Sequence, residues 1–505
     1  MTTLGARAAG GVAAAAVAVG VAQLVGAAFG PQADVRTAVG SAVIQLTPGP
    51  VKEWAIQTFG TADKLVLSIA VLLVVAALAA LAGILEGPRR PLGSAMIVAA
   101  GAVGCAAVLS RAGATAVDVI PTLAGVVCGV AALRLLISRR LRDRDSTDSP
   151  DAGRRRSLVT LGLLAAGAVS GVAGVVITRL ASSVSGDRSA FALPRVARPA
   201  AAIPDAVQPK DIALPSFVTA NEDFYRIDTA LSVPQLSREA WQLRIHGMVD
   251  REVNLRFADL DRFDVVERVV TLTCVSNPVG GELISNAVWT GYRVADLLAE
   301  AGVDAGADMV LSTSVDGWTA GTPVEALTSG DALLAIGMNG QPLPIEHGYP
   351  ARLVVPGLYG YVSATKWVVD LELTRFDRAE AYWTKLGWAP RGPIKTESRI
   401  DVPRAGQDVP VGPVTFGGVA WAQNRGVRTV EVQIDDGDWQ QATLGASYSN
   451  DTWRLWSFDW EAAGPGFHKI TVRATDNTGY TQTPDRADPV PDGATGWHSI
   501  TFKVT

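Results

Sequence analysis

Five apolar runs, near residues 8–29, 64–85, 92–110, 116–137 and 157–180, fill most of the first 180 residues of this chain. Each has the ~20 residues that an α-helix needs to cross the hydrocarbon core of a bilayer, where backbone polar groups must be satisfied within the segment. Five spans are therefore expected, the fourth interrupted near its start by Pro121. Arginines cluster at Arg7, at Arg89 and Arg90, and from Arg139 to Arg156. Those three places are every second connection, so the positive-inside rule puts them in the cytoplasm and delivers everything after the fifth span to the outside. Arg134, near the inner end of the fourth span, can snorkel to the interface. Arg154-Arg155-Arg156 before Leu158 and Val159 looks like an internal twin-arginine signal anchor, but from this span alone an ordinary positive-inside stop at a helix start is the stronger reading. The stretch Gly49 to Phe59, with Trp54 as its aromatic anchor, is expected to lie along the membrane surface.

Charge divides the chain as sharply as hydropathy does. Through residue 180 there are 16 Lys+Arg against 9 Asp+Glu, leaving 28 against 40 for the remainder. An acidic outer part excludes a basic nucleic-acid binder. All four histidines (His246, His347, His468, His498) lie in that outer part, and no C-x-x-C-H is present, so the spans offer no haem ligation and read as an anchor. Cys105 and Cys128 fall within spans, which leaves Cys274 as the one outer cysteine.

The expected organisation is an all-α transmembrane anchor at 1–180, a Pro-rich extended tether at 181–215, a mixed α+β domain at 216–397 and an all-β immunoglobulin-like sandwich at 398–505. The α+β domain alternates β-like runs (Trp241 to His246, Val265 to Cys274, Met309 to Val315, Leu353 to Val355, Trp367 to Leu373) with helical stretches (Phe257 to Phe263, Val294 to Ala301). Beyond 398, strands punctuated by Asp435-Asp436-Gly437-Asp438 and Asp476-Asn477-Thr478-Gly479 replace helical patterns.

Cys274 ends the run Val269-Val270-Thr271-Leu272-Thr273 and precedes the turn-forming Val275-Ser276-Asn277-Pro278-Val279-Gly280-Gly281. Read alone, it is open between a core cysteine, a metal ligand and a nucleophile. The stretch Leu272 to Pro278 nevertheless resembles the cysteine segment of the sulfite oxidase family of molybdopterin enzymes. Asn221-Glu222-Asp223-Phe224-Tyr225-Arg226-Ile227-Asp228 resembles the family's opening segment, and Trp241-Gln242-Leu243-Arg244-Ile245-His246-Gly247 its first strand. The block from Asn339 through His347, Gly348-Tyr349-Pro350 and Arg352 to Gly357, closing with Lys366-Trp367, is the most specific match. Trp497-His498 opens a last strand similar to that of the family's second, dimerisation domain.

The resemblance implies a molybdopterin (molybdenum cofactor) held through the Cys274 thiolate, which serves as both metal ligand and catalytic residue. It implies cofactor contacts from Tyr225, Arg226, Asp228, His347, Arg352 and Lys366, with Asp316 a weaker match. It further implies oxygen-atom exchange with a small-molecule substrate, a redox partner such as a cytochrome to remove electrons, and pairing of subunits into a homodimer. His246, His468 and His498 are read as structural, and Trp453, Trp456 and Trp460 as sandwich core. The pattern breaks at the fifth residue after the cysteine, where sulfite-oxidising members carry arginine and this chain has Val279. Arg391, Arg399 and Arg454 are candidates to reach the pocket instead. A neutral sulfoxide or N-oxide-like substrate, or another sulfur compound, stays open. The competing expectation is a membrane-anchored binding protein with a degenerate molybdopterin fold and no catalysis.

Overall fold

A computed structural model of the chain describes residues 4–48, 51, 54, 58–59, 63–111, 114–142 and 150–505. Residues 143–149 of the arginine-rich run, and most of the interfacial piece expected at 49–59, lie outside the described residues. The chain divides into two compact units, Met1–Ser183 with Ala230–Gln235, and Val184–Thr229 with Leu236–Thr505.

The first unit is helical. Five helices are long and apolar enough to cross a membrane, at Leu4–Gly26, Val66–Leu85, Leu92–Leu109, Ala116–Ile137 and Ser157–Ala190. Leu4–Gly26 is the hub, because its glycines and alanines let three other helices approach backbone to backbone. A Cβ on Gly11 would meet the Gly83 main chain, one on Gly20 would meet Gly167, and one on Gly125 would meet Ala18. Large apolar side chains such as Leu73, Val103, Val127 and Val169 point outward, as expected of helices whose outer surface meets lipid. Pro121 does not interrupt its span. It sits in the first turn of the helix Ile120–Arg142, where a missing N–H costs nothing. Arg134 does not snorkel unpaired, since its Nε donates to Ser94 Oγ (3.3 Å), while Ser94 donates through both N (2.7 Å) and Oγ (2.8 Å) to the Glu86 carboxylate. A short helix at Val35–Leu46, N-capped by the Asp34 carboxylate, has no counterpart in the expected organisation.

The second unit begins with the segment expected to be a free tether. It opens with the short helix Ser185–Ala190 and is extended beyond it as its prolines dictate, but it packs as a strap: Arg188 donates to the Pro342 and Leu343 carbonyls, Asp187 accepts from Tyr349 Oη (2.7 Å), and Ala197 N–H bonds Val265 O. The α+β domain follows, with strands β1 (Gln242–Gly247), β2 (Val253–Arg256), β3 (Val265–Thr273), β4 (Ile284–Arg293), β5 (Met309–Ser314), β6 (Thr319–Pro323), β7 (Leu333–Met338), β8 (Gln341–Pro342), β9 (Arg352–Val354) and β10 (Val368–Thr374). They form two sheets, ordered β2-β1-β10-β5-β6 and β3-β4-β7-β8, with β9 added on β7. Trp241, Leu243, Tyr292, Leu334 and Leu371, fully buried, fill the space between the sheets together with the helix Val294–Ala301. The expected helix Phe257 to Phe263 is a 3₁₀ segment, Phe257–Arg262, tightened because Asp259 folds back onto the Arg256 N–H.

Two further sheets make the sandwich: β11 (Glu397–Val402), β13 (Gly412–Trp421), β17 (Arg454–Ala462) and β16 (Thr443–Leu444) against β12 (Asp408–Val409), β19 (His498–Val504), β18 (Gly466–Asp476), β14 (Val427–Ile434) and β15 (Gln440–Gln441). Phe416, Trp456 and Phe502 sit at its centre, with Trp460 packed beside them. Trp453 is not part of that core. It belongs to a separate cluster joining the two domains, with Val275, Ile284, Tyr359, Trp388 and Trp421, because it lies just ahead of β17 and its indole N–H is drawn to Phe217 O (2.9 Å).

Candidate functional site

Cys274 stands one residue past β3, where ladder pairing with β4 gives way to a loop. Its N–H bonds Leu283 O (2.9 Å) and its carbonyl accepts from Asn277 N–H (3.1 Å), so both ends of the loop are pinned about the thiol. The loop is also held from the sandwich domain. Arg399 donates to Gly281 O (2.8 Å), and the His498 imidazole occupies the space that a Cβ on Gly280 would need. Gln423, fully buried, donates to Thr271 O and Thr273 Oγ1 at the end of β3. His498, read as structural, packs against the cysteine loop and accepts from Ile400 N–H (3.0 Å), a long-range contact that leaves no local signal. Of the three candidate arginines, only Arg399 reaches the loop. Arg391 lies over the Phe376 ring, and Arg454 donates to the Gly445 and Val427 carbonyls.

The segment after β8 carries the cations. Ile345–His347 is a single 3₁₀ turn ended by Gly348 in the left-handed region (φ +112°), which turns the chain so that Arg352 heads β9 directly beneath His347. A Cβ on Gly348 would crowd Arg352 and Lys366, which shows how closely these side chains converge. His347 and Arg352 are each only 3% exposed. The Arg352 guanidinium donates to His347 O (3.1 Å), Leu353 O (3.3 Å) and Ala364 O (3.4 Å) and lies 5.1 Å from the Trp289 ring centroid. Lys366 Nζ reaches Asp228 (3.3 Å) and Glu346 O (3.2 Å), and Arg226 Nε reaches the same carboxylate (2.9 Å). Tyr225 stacks on Phe224, which in turn meets the edges of Trp289 and His347.

Electrostatics mark this cluster as built for an anion. Burial pushes Arg352 down to about 10. Burial, with Arg352 and Arg226 nearby, takes Lys366 down to about 8 despite Asp228. Burial, with Lys366 and Arg352, brings His347 to about 3. Neighbouring cations add to the burial penalty at Lys366 and His347, and among the described residues Asp228 is the one carboxylate paired with any of the cluster's cations. Desolvated positive charge of this kind is stabilised by an anionic group that shares it. The Tyr225 hydroxyl is pushed well above its ordinary value by burial and by the nearby Cys274 charge, which ties the cation cluster to the thiol. Asp316 is not drawn in: it is exposed in the β5–β6 turn and accepts from Trp318 N–H (3.2 Å).

Among the described residues no group of three or more His, Cys, Asp and Glu side chains is placed to hold a metal ion. The site offers a single thiol, Cys274, coupled through Tyr225 to a cluster of buried cations with one acidic partner among the described residues.

Comparison with known proteins agrees. The family model described as "Oxidoreductase molybdopterin binding domain" matches residues 230–383. The chain is 35% identical over 152 residues to the uncharacterized oxidoreductase YuiH of Bacillus subtilis, covering 30% of this chain and 74% of that one. It is 29% identical over 356 residues to the mitochondrial sulfite oxidase of Homo sapiens, covering 60% of this chain and 64% of that one. The sulfane dehydrogenase SoxCD of Paracoccus pantotrophus shares the fold with a TM-score of 0.51 at 24% identity, over 57% of this chain and 82% of that one. The chain belongs to the sulfite oxidase family of molybdopterin-binding oxidoreductases. It spans 61% and 64% of the length of the Macaca fascicularis and human sulfite oxidases it matches.

Proposed function

We propose that this protein is a membrane-anchored, extracytoplasmic molybdopterin oxidoreductase that exchanges an oxygen atom with a small sulfur-type substrate. When bound, the cofactor supplies two-electron redox chemistry linked to oxygen-atom transfer. The chain's own part is to hold that group and exclude water. Cys274 would give the metal its protein thiolate, kept deprotonated by coordination. Arg352, Lys366 and Arg226 would meet the anionic and acceptor atoms of the carrier, Arg352 presenting several N–H groups and Lys366 a point charge. His347, neutral at its depressed value of about 3, offers one ring donor and one acceptor to planar hydrogen bonders. Asp228 would orient Lys366 and Arg226. The observation that carries the reading is a strand-end thiol, Cys274, coupled through the buried Tyr225 to Arg352 in a cation cluster that has a single acidic partner among the described residues.

Electrons would leave through a partner such as a cytochrome. The outer part's balance of 28 Lys+Arg against 40 Asp+Glu favours a basic one. Val279 supports a substrate other than one gripped by an arginine at that position. The arginine pattern of the anchor supports an outside location, and the sandwich domain is the surface through which two copies would pair. Replacing Cys274 by Ser tests the assignment: molybdenum content should fall to background while the chain still accumulates in membranes. Wild-type metal content and turnover in C274S would rule out the ligand role.

A further inference from the structure

The first residues of the strap reach three distant stretches of the second unit, and they do so through Asp187 and Arg188. Both oxygens of the Asp187 carboxylate are engaged. Oδ1 accepts from Arg238 Nε (3.1 Å) and Nη2 (2.8 Å), and Oδ2 accepts from Arg238 N–H (3.0 Å) and from Tyr349 Oη (2.7 Å). Arg188 donates from Nε to Leu343 O (2.7 Å) and from Nη2 to Pro342 O (2.9 Å). Apolar packing follows the same course. Val184 is 6% exposed, in one cluster with Phe224, Trp289, Leu343 and Tyr349, and the Phe191 ring lies against the Arg238 guanidinium (4.4 Å). A tether that only spans distance needs none of these contacts.

What they hold is the segment that carries His347 and Arg352. Arg188 grips it at 342–343, ahead of the turn Ile345–His347, and Asp187 grips it at Tyr349, beyond that turn. His347 therefore lies between the two grips in the chain, and Arg352 follows directly after the second. Tyr349 is fully buried, so its hydroxyl needs a partner, and Asp187 supplies one. Burial favours the neutral acid at Asp187, but hydrogen bonds from Arg238 and Tyr349 outweigh it and hold the carboxyl below its ordinary value. An ionised acceptor makes the bond from the phenol a charge-assisted one. Burial, and then Asp187, push the Tyr349 hydroxyl up, so it stays a donor at neutral pH.

We infer, resting on the function proposed above, that Asp187 is a positioning residue of the cofactor site, holding through Tyr349 the turn that brings His347 and Arg352 together. The residues just beyond the helix Pro150–Ser182 are then part of the site's framework as well as its link to the anchor. Asp187 acts at one remove: it fixes Tyr349, and Tyr349 fixes the backbone on which His347 and Arg352 stand.

Tyr349→Phe is the sharpest test, because it removes one hydroxyl and leaves the Asp187–Arg238 pair and both Arg188 bonds in place. Hydrogen exchange on full-length protein from a host unable to make pterin reads the turn by itself. Peptides spanning 344–353 should exchange on the order of ten-fold faster in Tyr349→Phe and in Asp187→Ala than in wild type, the worth of one hydrogen bond. Peptides of β13 and β17 in the sandwich should be unchanged. In protein from a replete host, both variants should release pterin on the order of ten-fold faster, with no further loss when they are combined. Asp187→Glu, which keeps an ionised acceptor, should recover part of both effects. Unchanged exchange at 344–353 in Y349F, a loss of protection spread equally over both domains, or effects that add in the double variant would each overturn the inference. Wild type without molybdenum or pterin would instead defeat the proposed function, and the exchange measurement would still decide whether Asp187 holds the turn.

Discussion

Arg352→Met separates the roles of the buried cluster most cleanly, because the expected effects on fold and on cofactor retention differ. The guanidinium is almost fully enclosed, fans three carbonyls and has no carboxylate partner among the described residues. Its fall from 12.5 to about 10 means that the empty fold bears a desolvation cost of about 3 kcal/mol, at ~1.4 kcal/mol per pH unit. Methionine removes that cost and keeps the apolar bulk against Trp289. Leaving the His347 and Ala364 carbonyls without their donor returns about 1–3 kcal/mol of penalty. Cofactor-free R352M should therefore unfold within about 2 kcal/mol of wild type. With an anionic carrier bound, the same change removes one partner of a buried charged contact and should cost about 2–5 kcal/mol of affinity, which is roughly 30-fold to several thousand-fold in retention. The assay is denaturant unfolding of both proteins from a host unable to make pterin, beside molybdenum and pterin per chain from a replete host. A variant that keeps wild-type cofactor content, or one whose cofactor-free form collapses, would refute the reasoning.

Two further outcomes follow from other charges. Lys366 is pushed down to about 8, so above that pH the empty site has one cation fewer. Binding an anion there restores the charge, and calorimetry in buffers of different ionisation enthalpy should find proton uptake that is negligible at pH 7 and approaches one proton above pH 8, absent in Lys366→Met. Asp476, fully buried, accepts from Thr396 Oγ1, Thr478 Oγ1 and Arg425 Nε and is held at about 2. A depressed carboxylate stabilises the fold above its ordinary 3.8 and loses that contribution as pH falls toward 2. Asp476→Asn should accordingly lose about 2 kcal/mol at pH 7 and show a shallower acid limb in thermal melts.

How much of this was legible in the sequence depended on how local each signal is. The five spans could be read because a lipid-facing helix is apolar all round, and the sandwich strands because Asp-Gly and Asn-Thr-Gly turns bound them. β4 was invisible. Its run Ile284-Ser285-Asn286-Ala287 looks polar, yet Asn286 is fully buried because it bonds Thr271 Oγ1 and Phe217 O, partners that exist only after folding. β7 (Leu333–Met338) is buried on both faces, and so short an apolar run has no period to distinguish strand from helix. The tether's prolines revealed its extended form, but not that Arg188 and Asp187 would find partners some 150 residues away. Within the candidate site, Cys274, His347, Arg352 and Lys366 carried a family pattern in two compact segments. Arg399 and His498 come from the other domain and touch the cysteine loop, and Gln423 the end of β3, only through tertiary packing, so no spacing in the sequence points to them.

The account stands on a metal held at Cys274 by way of an anionic organic carrier. Its most direct measurement is the content of molybdenum and released pterin per chain in protein purified from membranes of a molybdenum-replete host. Near one of each per chain is the predicted result, and neither of them, in a host whose other molybdenum enzymes are loaded, would contradict it.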